Sequence, residues 1–460
     1  MPPNSSHGAM NFSLPPDLQK YLCSIDDFIA SEIAPLQASN DNERFFDHHR
    51  EHARTDWDNQ GLPREEWEDL LAEARKRADE AGFYRFCLPA EFRGSDGGNL
   101  WMAVIRMHLA RKGLGLFNDL QNEHSIVGNF PDVLMVREFG TREQKEKFIA
   151  ERLQGKVGFT FGLTEPDHGS DATHMSTVAE RCEQDGVDGW KINGRKMWIS
   201  GIHKATHCLA FARTNGKAGD AIGITAFFVP KDAPGFKIES YEWTFNMPTD
   251  HATLSFTDVF VPDSAILGKV GLGLPIAQTF VHENRLRQAA SSLGAAEYCI
   301  EESIKYARKR KPFGNELSTN QAIQFPIVEL STQAEMLKLL IFKTATEMDG
   351  MTQKQIERDL GDKVSMCNYW GNRLCTQAAD RAIQIHGGIG YSRHKAFEHI
   401  YRHHRRYRIT EGSEEIQMRK VAAYLFGYVG PRKAELSKFW VVKKMYNWWP
   451  MEANAITFPG

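Results

Sequence analysis

Four short segments of the chain hold residue types that can handle a ligand or a proton. The first reads Thr164-Glu165-Pro166-Asp167-His168-Gly169-Ser170-Asp171 and follows the strand-like run Val157-Gly158-Phe159-Thr160-Phe161. Small residues and backbone N–H groups in such a loop can approach a planar or anionic ligand, although an Asx-capped turn has the same composition. The second, Trp198-Ile199-Ser200-Gly201, sets an indole two residues from a hydroxyl. That pair can stack on a ring and bond to its edge, but a Trp in this setting is more often core. In the third, Gln384-Ile385-His386-Gly387-Gly388-Ile389-Gly390-Tyr391, glycines allow close approach to a phosphate or simply cap a helix. It is not G-x-G-x-x-G, so no dinucleotide fold is claimed. The fourth is Thr410-Glu411-Gly412-Ser413-Glu414-Glu415-Ile416-Gln417. Here Glu411 can serve as a general base on a Gly-hinged turn, or Ser413 can cap a helix whose first turn carries Glu414 and Glu415. From this segment alone, capping explains more.

Other chemistries find little support. His399 and His403 have the four-residue spacing of paired metal ligands, with no carboxylate-rich third ligand in view, so no metal is expected. No G-x-S-x-G occurs. Lys+Arg 56 against Asp+Glu 59 leaves a net charge of -3, which argues against a global field for nucleic acid. The Arg402–Arg408 run reads as a solvated or ligand-facing basic helix. No stretch is apolar enough for a membrane span. Seven cysteines without a C-x-x-C pair suit a reducing, intracellular location, and neither secretory nor peroxisomal signals are found.

The elements that must position these segments change period twice. Residues 17–156 carry helical spacing, as in Leu18, Tyr21, Leu22, Ile25 and Phe28, and again over 65–81. Residues 157–265 read as antiparallel strands rich in Val, Ile, Thr and aromatics, with Asp185-Gly186 and Asn193-Gly194 as hairpin-type dipeptides. From 266 to 430 the helical period returns in runs long enough for a bundle, at 274–310, 319–349 and 354–386. Residues 1–16 are expected to be disordered, and 431–460 form a less regular tail with Trp440, Trp448 and Trp449. The fold class is thus mainly α with a middle β domain.

Taken in this order, the four segments resemble the acyl-CoA dehydrogenase family. The similarity runs from about residue 60 to 425 and is densest over 161–201, 285–321 and 384–417. It implies an N-terminal helical domain, a β domain and a C-terminal four-helix bundle. FAD would lie between the last two and partly against a neighbouring subunit in a homotetramer or homodimer. Carried over residue by residue, Phe161, Leu163 and Thr164 match the flavin-edge segment, Trp198 the flanking ring and Ser200 the hydroxyl facing flavin N5. Arg310, Phe313 and Gln321 match contacts to the FAD of the adjacent subunit. Gln384, Gly387 and Gly388 match the turn at its adenosine and pyrophosphate end, and Ser413 and Glu415 match further flavin-nucleotide contacts. Ser170, Arg285 and Gly412 match substrate contacts, Arg285 near the CoA thioester.

Glu411 then matches the base of E-G-[ST]-x-[EQ]-I-Q, which takes the α-proton of an acyl-CoA as the β-hydrogen leaves as hydride. A carboxylate in an apolar slot is a stronger base than one in water, which suits this task. Members with the base elsewhere carry it at the position of Asn284, and Glu283 is one helical step, about 100°, out of register. Two departures bear on substrate: Thr410 stands where straight-chain enzymes carry Tyr, and His403 replaces an acidic residue. With His404, Arg405, Arg406 and Arg408 it is expected to make the approach to Glu411 basic, where the plainer reading is a subunit contact or solvent and the sharper one an anion, CoA phosphate or a carboxylated acyl group. The resemblance implies electron transfer to an electron-transfer flavoprotein. The rivals are an oxidase using O₂ and a non-catalytic, nucleic-acid-associated flavoprotein.

Overall fold

A computed structural model describes residues 13–118 and 124–431. The tail tryptophans Trp440, Trp448 and Trp449 and nearly all of the N-terminal segment lie outside the described residues. Helix α1 (Pro16–Phe28) starts with proline in its first turn and buries Leu18, Ile25 and Phe28. Helix α2 (Glu65–Glu80) buries Trp67, Leu70, Leu71, Ala74 and Ala78, the apolar stripe of an amphipathic helix. Helix α3 (Asn99–Arg111) is buried on most sides, because it lies between the N-terminal helices and the later bundle.

The middle of the chain forms an eight-stranded sheet: β1 (Phe159–Gly162), β2 (Val178–Gln184), β3 (Val187–Ser200), β4 (His207–Arg213), β5 (Ile224–Pro230), β6 (Phe236–Tyr241), β7 (His251–Pro262) and β8 (Ile266–Leu267). Its order is β8-β5-β4-β2-β3-β7-β6, with β1 also on β4. The sheet is mixed rather than purely antiparallel, since β1 pairs with β4 in parallel and β2 meets β4 in parallel at Val178 and Arg213. Strand β4 shows the period of two: Leu209 and Phe211 join the core shared with the N-terminal helices, while Cys208, Ala210 and Ala212 face the sheet's own second core. Both faces are covered, so β4 is apolar from Cys208 to Ala212.

Asp185-Gly186 makes the expected hairpin, both residues at positive φ and Gln184 opposite Val187. Asn193-Gly194 does not. It lies inside β3, where the register against β7 slips between Ile192 and Gly194, and a Cβ on Gly194 would sit 2.5 Å from Thr177 Oγ1. The dipeptide marks a bulge with a close backbone approach.

The C-terminal bundle is built from α4 (Gly273–Lys309), α5 (Gln321–Asp349) and α6 (Gly361–His386), with α7 (Phe397–Tyr407) and α8 (Glu414–Leu425) packed on α6. Gly294 of α4 faces Met107 of α3 so closely that a Cβ would lie 2.2 Å from its carbonyl oxygen. Gly387, with φ 61°, ends α6. The interruption read at 387–390 is a single helical turn, Gly388–Tyr391. No helix among the described residues is long and apolar enough to cross a membrane.

Candidate functional site

A cavity of about 1960 Å³ opens between the sheet and the bundle. This is about twice the upper end for a single small-molecule site, so it has room for two extended ligands side by side. Its wall gathers Phe161, Leu163, Thr164, Ser170, Trp198, Ser200, Arg285, Glu411, Gly412 and Ser413. The remaining residues singled out in the sequence, Arg310, Phe313, Gln321, Gln384, Gly387, Gly388 and Glu415, do not line it. All seven are exposed on the outside of the bundle.

Two backbone kinks aim the central groups. A second register slip of β3, between Lys196 and Ile199, leaves Trp198 at φ 63° and 47% exposed on the cavity wall. Glu411 stands at φ 56° and Gly412 at φ 88°. Left-handed backbone at a bulky non-glycine residue costs free energy and is held in place by its surroundings. For Glu411 those surroundings are explicit. The buried Arg285 guanidinium donates to the Glu411 carbonyl from Nε (2.9 Å) and Nη2 (2.6 Å). Arg285 therefore holds the turn as well as facing the cavity. Burial draws its guanidinium below the ordinary arginine value, against the pull of Glu411 and Glu357.

Behind the turn runs a chain of buried amides. Gln417 donates to Gly412 O (2.8 Å) and to Asn368 Oδ1 (2.8 Å), and Asn368 donates to Arg285 O (2.8 Å) and Gln288 Oε1 (3.2 Å). Asn372 continues it to Asn368 Oδ1 and Tyr407 O, and Ser292 joins Asn372 to His404 Nδ1. Of these amides only Gln417 stood in a segment quoted from the sequence; Asn368, Asn372 and Gln288 did not. A usable signal exists: Asn368 and Asn372 sit four apart inside a buried helix, a poor place for Asn without partners.

A buried ion pair supports the other wall. Lys196 Nζ donates to Glu165 Oε1 (2.8 Å) and Leu163 O (3.2 Å), and the Glu165 carboxylate also accepts from the amides of Ser176 (2.5 Å) and Thr177 (2.9 Å). Burial opposes the charge on Glu165, yet Lys196 and its hydrogen-bond donors hold the carboxyl below the ordinary carboxylate range. Burial likewise draws Lys196 below the usual lysine value despite Glu165. Glu165 is thus a structural anchor under the loop rather than a ligand group. Ser200 Oγ meets His251 Nδ1 at 2.8 Å across β3 and β7. If the imidazole donates there, the hydroxyl keeps its own proton to give to a ligand.

The basic run differs from its reading as one cluster. Arg402, Arg405 and Arg406 line the cavity, but His403 and His404 are fully buried and Arg408 pairs with Glu414 (Nη2–Oε1 2.8 Å). Burial drives His403 well below the ordinary imidazole value and His404 down to about 3, so both are neutral at pH 7 and add nothing to a cationic approach. Ser413 accepts from Ile416 N (3.5 Å) as the cap of α8, which is the capping reading of that segment. Glu283 pairs with Arg287 (3.2 Å) and does not line the cavity, as its helical phase requires. Thr410 Oγ1 lies buried without a partner in the same wall as Glu411.

Three family models match the chain: the acyl-CoA dehydrogenase N-terminal domain over residues 39–156, the middle domain over 160–259 and the C-terminal domain over 271–426. The caffeyl-CoA reductase-Etf complex subunit CarC of Acetobacterium woodii is 31% identical over 345 residues, covering 75% of this chain and 87% of that protein. Glutaryl-CoA dehydrogenase of Desulfococcus multivorans is 29% identical over 428 residues, 92% of this chain and 100% of its own. Among solved structures, butyryl-CoA dehydrogenase of Megasphaera elsdenii superposes with a TM-score of 0.70 at 26% identity, covering 91% of this chain and all of the other.

Proposed function

The chain belongs to the acyl-CoA dehydrogenase family, and from that premise we propose that it desaturates an acyl-CoA thioester to the trans-2-enoyl-CoA with Glu411 as the base. When bound, FAD supplies the hydride acceptor. The cavity suits a flavin on its own residues: the exposed Trp198 ring offers a stacking face, Thr164 and Ser200 offer hydroxyls, and Phe161 and Leu163 an apolar flank. Ser413 would bind the nucleotide from the bundle side. Ser170 and Gly412 would contact the acyl-CoA, and the cationic rim of Arg402, Arg405 and Arg406 suits its phosphates.

Glu411 takes the α-proton as the β-hydrogen departs, and its own backbone N–H serves the developing enolate oxygen. Arg285 keeps the base aimed by gripping the Glu411 carbonyl. That grip, at a left-handed turn opening on the same cavity as Trp198 and Thr164, is the observation that carries the proposal. Electrons pass on to an electron-transfer flavoprotein, a reading supported by the Etf-linked relative.

A homo-oligomer completes the cofactor site in this proposal. Arg310, Phe313, Gln321, Gln384, Gly387, Gly388 and Glu415 are exposed, and α5, which begins at Gln321, presents Phe325, Val328, Met336 and Leu339, also exposed. A contiguous apolar stripe of this kind calls for a partner surface.

The test is the anaerobic visible spectrum of the purified holoprotein with a panel of acyl-CoAs. The flavin band should bleach with one chain class. In Glu411→Gln the bleaching rate should fall by about 10² to 10⁴, the usual value of a positioned base, with FAD still bound. Unchanged bleaching in that variant removes Glu411 from the role. Rapid reoxidation in air with peroxide release would favour the oxidase.

A further inference from the structure

Next to the large cavity lies a second, closed in by α4 and α7, with a volume of about 40 Å³. Asn129 and Asn284 line both cavities, and Asn129 Nδ2 donates to Asn284 Oδ1 at 2.9 Å, so this amide pair is the partition between them. Asn284 directly precedes Arg285, the residue that grips the Glu411 turn. The small cavity therefore adjoins the place where the thioester is handled.

Its chemistry is unlike that of an alkyl pocket. Arg287, 7% exposed, spends Nη2 on Glu283 (3.2 Å), while its Nε and Nη1 are buried without partners. His403 is fully buried, and neither of its ring nitrogens has a partner. A neutral imidazole still carries one N–H. Asn118 Nδ2 is a further buried donor without a partner. The wall thus offers several unspent N–H groups, two of the nitrogens on one guanidinium, and buried donors left without an acceptor are costly. A methyl terminus placed there would leave them desolvated. An oxygen acceptor would satisfy them. The volume admits a group of about the size of a carboxylate or a few waters, and no further chain.

Resting on the acyl-CoA reading above, we propose that the acyl group this enzyme prefers ends in an oxygen acceptor, a carboxylate or a carbonyl, which passes the Asn129–Asn284 pair and is bound by Arg287 and His403. Specificity then comes from the far end of the acyl chain, because a site built to hydrogen-bond a group discriminates strongly against the analogue that lacks it.

The experiment measures kcat/KM for flavin bleaching by the holoenzyme with glutaryl-, adipyl- and pimelyl-CoA. It sets them beside pentanoyl-, hexanoyl- and heptanoyl-CoA and the monomethyl esters of the three acids. At one length the oxygen-ended substrate should exceed its methyl-ended partner by about tenfold or more, one charge-assisted hydrogen bond's worth. An acid that outruns its ester identifies a carboxylate; parity of the two identifies a carbonyl. In Arg287→Met the preference should collapse toward one. Because that change leaves Glu283 unpaired, the double variant Glu283→Gln/Arg287→Met and the separate His403→Phe repeat the measurement in proteins without the orphaned charge. Methyl-ended chains that do as well at every length overturn this inference and leave the dehydrogenase reading standing. Failure of every thioester to bleach the flavin overturns both.

Discussion

The residues proposed to do the chemistry and the residues that hold them differ in how openly they declare themselves. Glu411, Trp198, Thr164 and Ser200 stand in short motifs, and the fold brings them to one wall. Glu165 stood in the first of those segments, but nothing there marked Lys196 as its partner. A lysine among alternating strand residues reads as solvent-facing, and its partner lies 31 residues earlier. Their pairing is a tertiary fact. It also carries a clear energetic expectation. In Lys196→Met the Glu165 carboxylate stays buried with its backbone amides but without its counter-charge, which should cost about 3–5 kcal/mol of stability. Glu165→Gln/Lys196→Met, which removes the stranded charge, should recover part of that loss. Denaturant unfolding of the two variants decides it, and a cost under about 1 kcal/mol for the single change would show that the pair does not support the wall. The amide chain from Gln417 to Ser292 was only partly legible: Gln417 closes a quoted motif, while the spacing of Asn368 and Asn372 becomes a signal once their helix is known to be buried.

Element types were legible where one period ran long, as in the helices over 273–309 and 321–349. Asn193-Gly194 misled because turn chemistry is local, whereas β3 continues through it under pairing from strands on both sides. The parallel contact of β1 with β4 was equally hidden, since strand direction is set by the path of the chain and leaves no mark on composition. Helix crossings are fixed by still smaller features. Where α3 meets α4, Gly294 lets the helices approach until a Cβ would overlap the Met107 carbonyl and come within 3.0 Å of Ala110 Cβ. Neither neighbour can swing aside, because one is backbone and the other a methyl in the bundle core. Gly294→Ala, ordinarily a gain in helix propensity of about 1 kcal/mol, should here destabilise by about 1–3 kcal/mol through overpacking. A raised melting temperature in this variant would mean that the crossing yields without strain.

At the scale of the whole molecule, the helix–sheet–bundle order that positions the site also buries imidazoles that water would otherwise protonate. Burial lowers His282 to about 4 and His404 to about 3, and drives His124, His399 and His403 well below the ordinary value. These groups sit in different parts of the fold: His124 beside the N-terminal helices, His282 on α4, and the other three on α7. A depressed folded value means that the unfolded chain binds the proton first. Stability from these groups is therefore complete above the unfolded value near pH 6.5, and it falls as pH drops toward 4 and then 3. Each one contributes a slope of about 1.4 kcal/mol per pH unit inside its window. Several acting together exceed the few kcal/mol by which a folded protein ordinarily survives. The protein should therefore lose its fold on acidification between about pH 6 and pH 4, before most carboxylates titrate, with uptake of more than one proton per molecule. Far-UV circular dichroism across that range, paired with the pH dependence of the denaturant midpoint, measures both terms. A midpoint that stays flat from pH 7 to about pH 4 would require these imidazoles to be protonated or solvated in the folded state, and the closed packing around α7 would then be wrong.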